Sequence, residues 1–217
     1  MNVSDSRIAI ITAIFGDYDL VKPVPLGFDE AVLVSDKPIK SDWENVVVST
    51  SLSPRLAAKI PKFRPDMFVS SSKSVWIDSS MSDPTGYLHQ ASLTALLQND
   101  FVVFPHPERS SVREEVPVSL ELPKYFGLPI SAQFESYQAK GFPDNIGLWA
   151  ATVIARNHTE QIAQLGSAWF LENSLWTIQD QISLPYLVWK YRISVGTYNA
   201  HLWNGPLVFT HHNYPNR

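Results

Sequence analysis

Lys73-Ser-Val-Trp-Ile-Asp-Ser-Ser80, running on into Met81-Ser-Asp-Pro84, is the stretch from which the fold can be read. Val75, Trp76 and Ile77 read as the end of a buried strand, and Asp78 stands where that strand runs out. In an open α/β sheet, ligands bind in the crevice outside the carboxyl ends of the strands. A carboxylate there can hold a divalent cation or a ribose hydroxyl. It can equally cap the following turn, a common use of Asp.

Working outward, apolar strand patterns recur on both sides. Residues 8–13, 31–35 and 45–49 precede the central run at 74–77, and 101–104 and 148–155 follow it. Between them lie helical patterns over 54–62, 84–98, 131–140, 158–174 and 178–191, with a poor helix over 114–127 that Pro117 and Pro123 interrupt. Pro84 suits a first helical turn, and Pro185 predicts a kink. The tail from Gly196 to His212 reads as aromatic loop. Strands alternating with helices predict one α/β domain over 1–217 with a mainly parallel central sheet flanked by helices.

Composition narrows the functions. The 217 residues are 45% hydrophobic and 12% aromatic, enough for a sizeable core. A net charge of −4 disfavours a broad basic face for duplex DNA, but leaves room for a small basic pocket. Cysteine is absent, which excludes disulfides, thiolate metal sites and a cysteine nucleophile. The start, Met1 to Arg7, lacks a signal-peptide layout, and the apolar run from Ile8 to Phe15 is too short to span a bilayer. A soluble, cytoplasmic protein is expected. Neither the Gly-x-Gly-x-x-Gly fingerprint nor a Gly-Lys-Ser/Thr phosphate loop occurs, which demotes ordinary dehydrogenases and P-loop kinases.

Five further groups carry possible chemistry. Thr12-Ala-Ile-Phe-Gly-Asp-Tyr-Asp19 is a strand opening into a loop; Thr12, Phe15, Gly16, Asp17 and Tyr18 could cradle a base and ribose, or form a solvated turn. Arg55 and Lys59 lie one helical turn apart between Pro54 and Pro61. Together they could grip a diphosphate, Arg as a fork and Lys as a point charge, or merely face solvent. In Phe104-Pro-His-Pro-Glu-Arg109, His106 is fixed between two prolines and could contact acceptor, phosphate or metal, or be an ordinary surface histidine on a rigid loop; Glu115 follows, and with His106 it is assigned to the acceptor side. Asp180 and Gln181 open an apolar helix. They could hold sugar hydroxyls, one accepting only and the other donating and accepting, or Asp180 could cap the helix. His211 and His212 are adjacent and point apart in extended chain, so at most one would join a metal or phosphate.

Taken in order, these segments resemble a glycosyltransferase-like family first catalogued as a domain of unknown function. It includes the plant mucilage-related and turgor-regulation-defect proteins, with bacterial and viral relatives. The likeness runs through Ile10 to Asp19, Pro54-Arg-Leu-Ala-Ala-Lys-Ile-Pro61, Val75 to Ser80 with Asp83-Pro84, and Pro105 to Arg109 with Glu114-Glu115. It ends with Gly147-Leu148, Arg156-Asn-His158 and Gln179-Asp-Gln-Ile-Ser183, covering roughly residues 7 to 190. The resemblance implies a GT-A-like nucleotide-diphospho-sugar transferase fold. By that analogy Trp76 belongs to the nucleotide site, and Asp78 begins the Asp-x-Asp metal motif for Mn²⁺ or Mg²⁺. The third position of that motif is Ser80 here. Asp180-Gln181 resembles the donor-sugar motif of retaining transferases. The family commonly carries Arg before that Asp, and this chain carries Gln179.

The expected activity is transfer of a sugar from a nucleotide-diphosphate donor to a hydroxyl acceptor: a glycan, a small molecule or, less in keeping with the acidic pI, modified nucleic acid. Arg55, Lys59 and one tail histidine would offset the diphosphate charge, Asp78 with Ser80 would hold the metal, and Asp180 and Gln181 the sugar. Two other classes fit the same pattern. A non-catalytic nucleotide-sugar or carbohydrate binding module would show no donor hydrolysis with Mn²⁺. A nucleotidyltransferase would release pyrophosphate instead of a nucleoside diphosphate.

Overall fold

The computed structural model describes residues 7–210. Its strands are β1 (Ala9–Ile14), β2 (Glu30–Ser35), β3 (Glu44–Val47), β4 (Lys73–Ile77), β5 (Met81–Ser82), β6 (Phe101–Pro105), β7 (Trp149–Asn157), β8 (Val195–Thr197) and β9 (Val208–Phe209). The helices are α1 (Pro54–Ala57), α2 (Lys59–Phe63), α3 (Tyr87–Leu96), α4 (Val112–Glu121), α5 (Ile130–Ala139), α6 (Glu160–Leu175) and α7 (Asp180–Tyr191). A central sheet runs β3-β2-β1-β4-β7-β6-β8, and β5 pairs with β9 in a separate ribbon.

Every residue of β1 is buried, as a continuous apolar strand covered on both faces requires. Alternation splits the core. Ile11, Ala13, Val32, Trp76, Val103 and Ile154 pack beneath α2, α6 and α7 on one face. Ile10, Ile14, Leu33, Val75, Phe104 and Val153 pack on the other, with Leu88 and Leu96 of α3 and Tyr198 of the tail.

The chain leaves β1 in one direction through β2 and β3, then returns to place β4 on the other flank of β1. These four strands are mutually parallel, so β1 and β4 end side by side at a topological switch point. The mainly parallel sheet is as expected, with one departure. Strand β7 runs antiparallel to both β4 and β6, and its register with β6 shifts between Val103 and Phe104. Its first residues therefore lie beside the last residues of β4 and β6: Pro105 faces Trp149, and Asp78 N–H donates to Thr152 O at 2.8 Å.

Several boundaries moved for local reasons. The expected helix at 84–98 begins at Tyr87, after Gly86 in the left-handed region at φ 71°. Asp83 accepts from Tyr87 N–H at 3.1 Å and Leu88 N–H at 2.7 Å, so Pro84 belongs to the preceding turn. The helix at 54–62 is two short helices meeting at Ala58. The poor helix at 114–127 is α4, with Pro117 inside it, followed by a single 3-10 turn over Pro123–Tyr125. The tail read as loop contains β8 and β9, whose two- and three-residue lengths leave no periodicity to detect.

Helix α6 crosses α2 closely at Gly166. A Cβ there would lie 2.0 Å from the carbonyl oxygen of Phe63, whose ring stacks on Trp169 at 4.2 Å between centroids. In an open helix, Gly→Ala stabilises by about 0.8–1.0 kcal/mol. Here the sign should reverse: Gly166→Ala should destabilise by roughly 1–3 kcal/mol, since backbone must move to admit the methyl group. A urea midpoint equal to or above that of the unmodified protein would show that the α2–α6 contact is not tight.

Candidate functional site

At the switch point lies a cleft of about 400 Å³. The end of β1 supplies Phe15 and Tyr18, and the α1–α2 segment supplies Arg55, Lys59 and Lys62. Strand β4 and its following turn supply Trp76, Asp78 and Ser80. His106 and Arg109 follow β6, Glu115 comes from α4, and Lys124 and Tyr125 from the 3-10 turn. Asp180 and Gln181 open α7, and Trp203 and Phe209 come from the tail.

The structure thus gathers Phe15, Tyr18, Arg55, Lys59, Trp76, Asp78, Ser80, His106, Glu115, Asp180 and Gln181 around one cavity. Three others stand apart. Thr12 is buried and lines a neighbouring crevice of about 10 Å³. Gly16 shapes the loop: its φ is 65°, its N–H donates to Asp36 at 2.9 Å, and a Cβ would meet Pro54 at 2.8 Å. Asp17 pairs with Lys37 on the exposed side of that loop. His211 and His212 lie outside the described residues.

The floor of the cleft is an ion network. Lys59 Nζ lies 2.7 Å from both oxygens of Asp180. Lys62 Nζ lies 2.8 Å from Asp180 Oδ2 and 3.0 Å from Asp78 Oδ1. Asp78 Oδ1 also accepts from Trp76 Nε1 at 2.7 Å. Behind Asp180 a buried relay fixes its orientation: Trp169 Nε1 donates to Ser183 Oγ at 2.9 Å, Ser183 Oγ to Asn173 Oδ1 at 3.1 Å, and Asn173 Nδ2 to Asp180 Oδ1 at 3.0 Å. The Asp180 side chain therefore does not cap α7; Gln179 is the cap residue, and it makes no side-chain cap bond either.

Burial and pairing pull these groups in opposite directions. Burial alone would raise the Asp180 carboxyl, but the two ammonium groups outweigh it and hold it well below the usual carboxylate range. Burial lowers Lys59 to about 8, offset only in part by Asp180 and worsened by the neighbouring Lys62. Lys62 is also buried, yet two acids outweigh that cost and raise it. The contrast is physical: Lys62 has two carboxylate partners, Lys59 one.

A second cationic feature faces the same space. Arg55 lies 5.5 Å and Lys124 Nζ 4.8 Å from the centroid of the Tyr125 ring, and Arg55 donates to Lys124 O at 2.9 Å. Burial and the charge of Arg55 lower Lys124. Among the described residues neither cation forms a salt bridge with a carboxylate, so both can meet an anionic ligand.

The opposite wall is a closed polar chain. Glu115 Oε2 accepts from Arg109 Nε at 2.6 Å, and Oε1 accepts from Ser119 Oγ at 3.0 Å and Gln179 Nε2 at 3.0 Å. Tyr125 O–H donates to Gln179 Oε1 at 3.0 Å. His106 Nδ1 accepts two backbone N–H groups, from Glu108 at 3.2 Å and Arg109 at 3.1 Å. Its Nε2 lies 3.2 Å from Arg109 Nη2 and 3.7 Å from Glu115 Oε2, so both ring nitrogens face N–H donors. Burial lowers His106, partly offset by Glu115. With both oxygens engaged, Glu115 organises this wall and is not poised as a free base.

Sequence reasoning missed Lys62, Lys124, Tyr125 and Asn173. Lys62 carried a usable signal, three residues after Lys59 on the same short helix. Lys124 and Asn173 carried none, since a lone Lys beside Pro123 and an Asn inside a helix are unremarkable alone.

Of the four residues expected to hold a metal, Asp78 and Ser80 are among the described ones. Among the described residues no group of three or more His, Cys, Asp or Glu could hold an ion. Asp78 Oδ1 is taken by two N–H donors, and Ser80 is buried with its carbonyl accepting Thr210 N–H at 2.8 Å.

Solved structures share the architecture. Mouse xyloside xylosyltransferase 1, in its apo form, aligns with a TM-score of 0.50 at 7% identity, over 88% of this chain and 84% of that one. The glycosyltransferase GlyE of Streptococcus pneumoniae TIGR4 aligns at 0.46 and 13% identity over 89% of this chain, which spans only 45% of GlyE. The 4-diphosphocytidyl-2C-methyl-D-erythritol synthase of Anaerococcus prevotii DSM 20548 aligns at 0.47 and 13% identity over 89% of both chains. No curated protein matches. Among the described residues no helix is long and apolar enough to cross a membrane. The fold is a GT-A-like α/β domain. The TOD1/MUCI70 glycosyltransferase-like domain model matches residues 26–204, and the chain belongs to that family.

Proposed function

We propose that this protein is a glycosyltransferase that moves a sugar from a nucleotide-diphosphate donor to a hydroxyl acceptor. One observation carries the reading: a carboxylate at a strand end and a carboxylate at a helix start, Asp78 and Asp180, share a cleft floor with two ammonium groups. Arg55 and Lys124, which form no salt bridge among the described residues, line the same cleft. Family membership supports the reaction class.

Each wall then has a task. Phe15 and Tyr18 offer apolar and aromatic surface to a base and ribose. Arg55 and Lys124 attract the diphosphate, and their charge stabilises it as it leaves. Asp180, held by Lys59, Lys62 and Asn173, and Gln181 orient the donor sugar. The His106–Arg109–Glu115 wall and exposed Trp203 face the side left for the acceptor. The direct test is product analysis with a panel of UDP- and GDP-sugars. Release of nucleoside diphosphate supports transfer, pyrophosphate would indicate a nucleotidyltransferase, and binding without turnover a binding module.

Asp180→Asn should lower turnover by on the order of 10²-fold or more, because a group positioning the reacting centre is lost. It should also cost about 3–5 kcal/mol of stability, because Lys59 and Lys62 lose a buried partner. Near-normal turnover by the folded variant would remove Asp180 from the site.

Arg55→Ala should weaken nucleoside diphosphate binding by roughly tenfold or more while leaving nucleoside binding nearly unchanged, since charge-assisted bonds go to phosphate alone. Calorimetric titration of both ligands decides; equal losses would make Arg55 structural.

Nucleoside diphosphate affinity should fall as pH rises through about 8, where Lys59 loses its proton and one positive charge leaves the cleft. For stability the sign is opposite. Folded Lys59 releases its proton below the unfolded value of 10.5, so its contribution to stability grows between about 8 and 10.5. Titrations across pH 7 to 9.5 test the first effect, and Lys59→Arg should flatten the profile, since Arg stays charged.

A further inference from the structure

One ammonium group stands between the two acids of the cleft floor. Lys62 Nζ is 3.0 Å from Asp78 Oδ1 and 2.8 Å from Asp180 Oδ2, on a side chain only 5% exposed. It packs 5.6 Å from the centroid of the Trp76 ring, and Trp76 itself donates to the same Asp78 oxygen. The position is therefore built from three sides, by β4, α2 and α7, and filled by a cation of the chain itself.

A divalent cation such as Mg²⁺ keeps several waters and is held by one or two carboxylates and the substrate phosphates, at roughly 2.0–2.1 Å. On the cleft floor three of the four carboxylate oxygens of Asp78 and Asp180 are bonded to donors of the chain itself. Asp78 Oδ1 already has two N–H donors, and both Asp180 oxygens are bonded to Lys59, with Lys62 on one and Asn173 on the other. The residue two after Asp78 is a buried serine, not a second carboxylate. An ion bound at Asp78 Oδ1 would have to displace the Lys62 ammonium or stand beside it, like charge against like.

We propose that Lys62 takes the place of the divalent cation, so that, together with Arg55 and Lys124, it neutralises a nucleoside diphosphate that binds without Mn²⁺ or Mg²⁺. An ammonium has three N–H donors. Two of those on Lys62 go to Asp78 and Asp180, which leaves one for a phosphate oxygen in the cleft that Lys62 lines. The two acids hold the ammonium in place, and Arg55 and Lys124 supply charge that no carboxylate pairs with in a salt bridge among the described residues. This inference rests on the nucleotide-sugar reading above, and the two can fail separately.

The experiment is calorimetric titration of UDP, GDP, ADP and CDP into the protein, once in EDTA and once in excess Mn²⁺. The tightest of the four should bind with the same Kd in both buffers, within about twofold. Lys62→Met should lose about tenfold or more in EDTA, the loss expected for a charge-assisted bond. The comparison of buffers needs no variant, so a misfolded Lys62→Met leaves the test standing. Binding tighter by about tenfold or more in Mn²⁺ would overturn the inference while keeping the nucleotide site. Absence of binding by all four in either buffer would overturn the nucleotide reading and this inference with it.

Discussion

The structure turns on a buried carboxylate shared by two ammonium groups. Asp180 opens α7, Lys59 and Lys62 belong to α2, and Asp78 ends β4, so one network ties three elements that are remote in sequence. Desolvating four charges is expensive, and such a cluster is seldom a net source of stability compared with apolar packing. Its value is geometric. Two bonds from one ammonium and a third from Asn173 leave the Asp180 carboxylate a single orientation, aimed at the cavity. Around it, Trp169, Ser183 and Asn173 form a polar relay inside an otherwise apolar layer. Those hydroxyl and amide groups would be costly without partners, and each is satisfied by the next.

Much of the frame could be read directly. The buried runs at Ile10, Leu33, Val75 and Val102 announce central strands because a strand covered on both faces must be apolar throughout. Asp78 was legible for the same reason: a charged residue closing such a run must lie where the strand leaves the sheet. What stayed hidden depended on contacts across the chain. The direction of β7 follows from the path of residues 106–148, which no local pattern records. β5 and β9 are too short for any period, and they exist because they pair with each other.

The site shows the same division. Arg55, Lys59, Asp180 and Gln181 stood out because polar residues opened or lined otherwise apolar helices, and the structure places all four on the cleft. The neighbours of Lys59 could not be foreseen. Its pairing with Asp180 spans much of the chain, and it converts what looked like a free cation into half of an ion pair. Conversely, Lys124 looked ordinary and is one of the cleft cations without a salt bridge among the described residues. Gly16 and Asp17 illustrate a general hazard: left-handed backbone at both positions makes them loop-formers first. Phe15 and Tyr18 beside them line the cleft, and Gly16 and Asp17 do not.

The antiparallel placement of β7 has a consequence for how such a protein can diversify. Because Pro105 and Trp149 face each other across the sheet, residues 106–148 leave and rejoin it at neighbouring points, like a side loop on a closed frame. That excursion supplies His106, Arg109, Glu115, Lys124 and Tyr125, an entire wall of the cleft. The entropy of closing a loop grows only with the logarithm of its length, about 0.6 kcal/mol per doubling. Its exposed turns can therefore lengthen or shorten at small cost, but Val112, Ile130, Phe134 and Tyr137 of the same excursion are buried in the core, and Gln179 bonds both Glu115 and Tyr125, so its packed side is fixed. The excursion is thus free to vary where it faces solvent, while its packed side shares one core with α6 and α7.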